Sequence, residues 1–102
     1  MRIEKAYAGI EEGQIHLRRR SGAGRAVPLA MLHASPSSSR SLEGLMLAMG
    51  EARDLVAFDT PCNGHSCAPR ASAPAIAEFA DMLSRASCDL RIGRLALYGT
   101  HT

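Results

Sequence analysis

The sequence predicts an α/β fold in three layers: a mostly parallel sheet between helices, with an antiparallel hairpin at its N-terminal side. Three observations carry that prediction. Short apolar runs stand at residues 29–32, 55–58 and 95–98. They lack polar alternation and are too short for helices, so they read as strands covered on both faces. The segments between them repeat apolar residues at helical spacing, giving strand, helix, strand, helix, strand and hence two right-handed crossovers. Each apolar run also breaks into residues that turn tightly or do chemistry, which places any site at the carboxyl ends of the strands.

The elements follow in chain order. Residues 2–20 alternate weakly between polar and apolar, with Ile3, Tyr7, Ile15 and Leu17 as apolar members and Glu11-Glu12-Gly13 as a turn. This is a hairpin at the sheet edge. Arg18, Arg19 and Arg20 run into Ser21-Gly22-Ala23-Gly24. On a strand these three side chains point to alternate faces, so they make a poor single phosphate-binding patch and read as a solvated strand end. The stretch 27–36 then supplies the expected central strand, which breaks into His33-Ala34-Ser35-Pro36 and a serine cluster able to cap a helix. Leu42, Leu45, Met46 and Met49 lie at i, i+3, i+4 and i+7, one apolar stripe, with Gly50 where a C-terminal cap belongs.

Residues 54–58 form the second strand, ended by Asp59. A long loop, residues 60–72, contains Pro61, Gly64 and Pro69, and Pro74 suits the first turn of the next helix. Ile76, Phe79, Ala80 and Leu83 repeat the helical stripe, and the helix is expected to end around residues 86–88. The third strand at 95–98 runs into Gly99-Thr100-His101-Thr102. The expected organisation is a single domain over 1–102, a hairpin over 1–26 and a βαβαβ core over 27–102.

Composition narrows the classes. A chain of 102 residues supports one domain with a modest core. At 46% hydrophobic and 22% charged it has the balance of a globular protein. With 4% aromatic residues and no Trp, the core must be built from Leu, Ala, Met, Val and Ile. The net charge of +2 is too small to call for a nucleic-acid or membrane partner. No secretory leader or run of about 18 apolar residues stands out. Three cysteines, Cys62, Cys67 and Cys88, are an odd number without the spacing of a disulfide framework, so a cytoplasmic location is expected.

Three motifs, in order, resemble the α/β-hydrolase fold superfamily. His33-Ala34-Ser35-Pro36 is similar to the His-Gly-X-Pro turn after the third strand of that fold. The stretch Asp59-Thr60-Pro61-Cys62-Asn63-Gly64-His65-Ser66 resembles the Asp-x-Pro-Gly-x-Gly-x-Ser loop. Residues 95–102 resemble the fifth strand and the nucleophile elbow, Gly-x-Ser-x-Gly. The likeness runs from about Ile15 to the end of the sequence.

The resemblance implies a partial α/β-hydrolase fold and a hydrolase of ester- or amide-type bonds in small molecules, with no cofactor and no metal. It places His101 in the nucleophile position, where the superfamily has Ser, Asp or Cys. It assigns the backbone N–H groups of Ser35 and Thr102 to the oxyanion hole, with His33 as a hydrogen-bonded turn residue beside them. An imidazole at the elbow is able to form a covalent adduct; the other readings make His101 a functional contact of another kind or give it no catalytic role.

The acid and histidine that follow the nucleophile in this superfamily have no counterpart here, so the sequence is expected to be the N-terminal part of a larger protein. Two functional classes remain, a hydrolase completed by further residues and a truncated or degenerate relative without chemistry. A zinc site at Cys62, His65 and Cys67 lacks a fourth ligand at suitable spacing. A redox site lacks Cys-x-x-Cys.

Overall fold

A computed structural model describes residues 3–22, 27–33, 38–49, 53–61, 63–68 and 76–99. Its five strands are β1 Glu4–Ile10, β2 Gly13–Arg20, β3 Leu29–Leu32, β4 Leu55–Phe58 and β5 Ala96–Gly99. A short 3-10 turn, Ser39–Leu42, leads into helix α1, Glu43–Ala48; helix α2 spans Ile76–Asp89. The five strands form one sheet in the order β1-β2-β4-β3-β5. The hairpin pairs antiparallel about Glu11-Glu12, and β2 continues antiparallel onto β4. The β4–β3 and β3–β5 pairs are parallel. The fold class is therefore the expected one, a mixed sheet with a hairpin at one side and crossovers between parallel strands.

Alternation along the strands sorts side chains between two cores. On one face Ile15, Leu17, Ala30, Val56 and Phe58 pack with Met82 and Ala86 of α2. On the other, Met31, Leu55 and Ala57 pack with Leu42 and Met46 at α1. β4 is buried along its whole length. It occupies the middle of this sheet, and β3, the expected central strand, lies one place further out.

Four expectations are corrected. β5 is not covered on both faces: it pairs with β3 on one side, and Leu97 and Tyr98 are 65% and 38% exposed. A groove of about 440 Å³ runs beside it, lined by Leu83, Ile92, Leu95 and Leu97 among others. Arg18 and Arg20 are not a solvated strand end; both are buried. They share the α1 face of β2, where Arg20 donates from Nη1 to the carbonyls of Met46 and Met49, at 2.9 Å to the latter. A cation at the last carbonyls of a helix satisfies groups that the helix cannot.

The helical stripes are also shifted. Leu45 and Ala80 face solvent, and the buried positions of α2 include Met82 and Ala86. Finally, α2 runs to Asp89 and stops without a glycine. Ile92 N–H donates to Ser87 O at 3.0 Å and Arg91 N–H to Cys88 O at 2.9 Å, with Arg91 at φ 61°. This is a Schellman turn with an arginine in the left-handed slot.

Candidate functional site at the carboxyl ends of β3 and β4

Parallel register sets Leu32 beside Phe58 and Gly99 beside Leu32. His33 and Asp59, the residues that follow, therefore emerge at the same edge of the sheet. Both are buried, at 2% and 0% exposure. The antiparallel β2 contributes His16 at the same level, because Asp59 N–H donates to His16 O at 2.9 Å and extends the β2–β4 ladder by one step.

The Asp59 carboxylate is the hub of this edge. Oδ1 accepts from Ser39 N–H at 2.6 Å. Oδ2 accepts from His65 N–H at 3.0 Å and lies 2.9 Å from Nδ1 of His16. Burial by itself raises the carboxyl pKa, but hydrogen bonds from Ser39, from His65 and from His16 outweigh it. Together they lower it from 3.8 to about 2. Gly64, at φ 52°, lets the loop close over the carboxylate; a Cβ there would lie 2.1 Å from Oδ2. Only glycine meets both requirements without strain.

Polar contacts continue outward from the hub. Arg18 donates from Nη1 to Ser39 Oγ at 2.7 Å and from Nε to Glu43 Oε2 at 2.7 Å. Charge and hydrogen bonding thus run from Glu43 through Arg18 and Ser39 to Asp59 and His16, beneath the start of α1. On the far side of the His16 ring, Tyr7 and His65 make edge contacts at centroid distances of 5.0 and 5.3 Å.

His33 closes the adjoining loop. Its Nε2 accepts the Thr60 N–H at 3.1 Å and lies 3.1 Å from Thr60 Oγ1, which in turn accepts from Asn63 Nδ2 at 2.8 Å. An N–H donor at Nε2 requires that nitrogen to carry the lone pair, which assigns the ring proton to Nδ1. The imidazole clasps the loop after β3 to the loop after β4.

A buried His–Asp pair has the form of a base with its orienting acid. Its surroundings give it a different task. A neighbouring hydroxyl, Ser66 Oγ, donates to Asp59 O at 2.6 Å and accepts from His16 N–H at 2.9 Å, so it serves two backbone groups. With side chains 3% and 0% exposed, His16 and Asp59 do not meet solvent. The pair holds the loop in shape.

Of the residues expected at the site, His33 stands at this edge, with its Nε2 against Thr60. Ser35, His101 and Thr102 lie outside the described residues, as does Cys62. Cys67 is half-buried and Cys88 lies exposed on α2, both as free thiols. Sequence reasoning missed His16 and Ser39 as partners of Asp59, and Arg18, which reaches it through Ser39. The signal for His16 and Arg18 was parity: 16, 18 and 20 share one face of β2, opposite Ile15 and Leu17.

No family model and no curated protein matches the chain. Solved structures do. Haloalkane dehalogenase DbeA from Bradyrhizobium elkani USDA94 superposes with a TM-score of 0.84 at 22% identity, over 97% of this chain and 33% of that one. An epoxide hydrolase from an endophytic Streptomyces gives 0.82 at 19% identity, over 97% and 30%. Haloalkane dehalogenase DatA from Agrobacterium tumefaciens C58 gives 0.81 at 17% identity, over 96% and 32%. At such identities the likeness is one of fold. The chain spans about a third of the length of these structures.

Proposed function

We propose that this chain, whose fold is a partial α/β-hydrolase fold, is the N-terminal part of a hydrolase of ester- or amide-type bonds in small molecules. The observation that supports this reading best is the pre-formed carboxyl edge. There His33 clasps the loop after β3 to the loop after β4, and Asp59 pins the latter from beneath. A rigid edge of this kind is what a site built from strand-end loops requires. In this reading His101 occupies the nucleophile position, and the Ser35 and Thr102 N–H groups receive the developing oxyanion. His33 is a positioning residue. Attack by the His101 ring on an acyl carbon expels the alcohol and leaves an acyl-imidazole, which water cleaves to the acid.

The test is hydrolysis of activated nitrophenyl esters by the native gene product, with its intact mass measured alongside. Turnover that falls about 100-fold or more in His101→Ala, with unchanged folding, supports the proposal. A folded native product without turnover refutes it.

The second reading, a relative that keeps the fold and no chemistry, has its own support. Among the described residues no hydroxyl or thiol is presented to an imidazole backed by a carboxylate, since the His16–Asp59 pair is sealed and Ser66 is committed to backbone. The same assay separates the two.

A further inference from the structure

We infer that a pocket at the opposite, amino end of the sheet binds a small phosphate-bearing anion. The hollow, of about 290 Å³, lies beside Pro28 and Asp54, the residues that precede β3 and β4. His33 and Asp59 follow the same strands, so this pocket and the carboxyl edge are at opposite ends. Its walls bring together Arg19 from β2 with Arg91 and Arg94 from the connection between α2 and β5.

Three features make this a site rather than a chance gathering. First, among the described residues none of these three side chains has a hydrogen bond or ion pair, whereas Arg18 and Arg85 are both satisfied by carboxylates. Second, the single carboxylate in the pocket, Asp54, already accepts the Gly22 N–H at 2.6 Å. Three arginines thus line a hollow that holds one partly committed carboxylate, an excess of positive charge that an anion would balance. Third, Arg91 is set by the turn that ends α2, where its φ of 61° costs energy that a glycine there would avoid.

The chemistry narrows the ligand. Guanidinium forks match the oxygens of a phosphate and bind it bidentately. Val56, Leu90 and Ile92 also line the hollow and offer apolar contact to an organic substituent on the phosphate. At about 290 Å³ the hollow has room for a phosphate group together with a small substituent. The inference does not depend on the hydrolase reading.

The test is titration of the 102-residue chain with inorganic phosphate and, in a second arm, phenyl phosphate, at constant ionic strength set by sodium chloride. The readout is the arginine Nε–Hε signals in a nitrogen–proton correlation spectrum. Saturable shifts confined to Arg19, Arg91 and Arg94 support the site, and the tighter probe identifies free phosphate or a phosphomonoester as the source. Arg94 is exposed, so Arg94→Ala leaves the fold intact and weakens the apparent affinity about tenfold. Arg91→Gly separates structure from binding: it raises the melting temperature of the free chain while weakening phosphate. Shifts that do not saturate, shifts that chloride reproduces, or an Arg94→Ala affinity within about twofold of the parent would overturn the inference.

Discussion

Replacing Asp59 by Asn removes one charge and keeps the size of the side chain, so the effect reads directly on the hub. The carboxylate accepts from Ser39 N–H at one oxygen and from His65 N–H and His16 Nδ1 at the other. An amide offers one oxygen and one NH2 group, so either orientation sets a donor against donors. Each buried donor left without an acceptor costs about 1–3 kcal/mol. A loss of about 2–4 kcal/mol in unfolding free energy is therefore expected at pH 7, measured by urea denaturation.

The pH dependence gives an independent magnitude. The folded-state pKa of about 2 lies below the ordinary 3.8. At about 1.4 kcal/mol per pKa unit, that difference corresponds to about 2 kcal/mol of stability from the ionised form. Because the folded value is depressed, the contribution is complete above the unfolded pKa, near pH 4, and is lost as pH falls through about 2. The stability gap between parent and Asp59→Asn should thus be flat from pH 7 to about 5 and narrow by about 2 kcal/mol between pH 4 and 2. Subtracting the variant's curve removes the titration of the other carboxylates. A gap of constant size across that window, or an Asp59→Asn chain as stable as the parent at pH 7, would refute the assignment of Asp59 as a hydrogen-bonded carboxylate hub.

Three further outcomes follow from the same geometry. Gly64→Ala should cost about 2 kcal/mol or more in urea denaturation, because its φ of 52° disfavours a Cβ that would also meet the locked Asp59 carboxylate. Gly44→Ala, in α1 with open space around it, should instead gain about 0.5–1 kcal/mol in the same assay. The 102-residue chain on its own should self-associate through β5, and Leu97→Lys should lower its weight-average mass in sedimentation, since charge on an edge strand blocks pairing and Leu97 is largely exposed.

Legibility in the sequence followed the chemistry of each signal. The runs at 29–32 and 55–58 were readable because a strand between two helical layers has no polar alternation to hide. The run at 95–98 has the same composition and yet is exposed in the described chain. β5 pairs with β3 on one side, at the end of the sheet order, and local composition does not encode that place. The stripe on α2 was misaligned through Ala80 because alanine is compatible with either environment. Met82 and Ala86 win the buried positions through their match to Phe58 and Val56. The end of α2 falls one residue past the expected range, although its left-handed slot holds Arg91 and not a glycine.

The site shows the same division. His33 was singled out by its motif, whereas its partner Thr60 comes from the loop after β4, 27 residues on. Arg18 and Arg20 were taken for solvent-facing charges because a guanidinium is rarely buried without partners. Those partners, Ser39, Glu43 and the carbonyls of Met46 and Met49, arrive from more than 20 residues away.

That arrangement explains how one short helix can cover a sheet face bearing two arginines, a histidine and an aspartate. Among the described residues, Met46 of α1 and Leu42 of the turn before it are the buried apolar groups on this side, too little surface to cover the face by themselves. The remaining area is filled by groups that satisfy one another: Arg20 takes the carbonyls at the end of α1, Arg18 takes Glu43 in its first turn, and Ser39 bridges Arg18 to Asp59. Each contact ties α1, or the turn that leads into it, to β2 or to the residue after β4, so the polar network holds α1 in register against β2 and β4 where apolar packing is sparse. Because Asp59 belongs to that network and also accepts from His65, the position of α1 and the shape of the β4 loop are coupled. Arg18→Met tests the coupling: it should shift the backbone amide resonances of both α1 and His65, whereas Arg19→Met, on the opposite face of β2, should leave the His65 amide where it is.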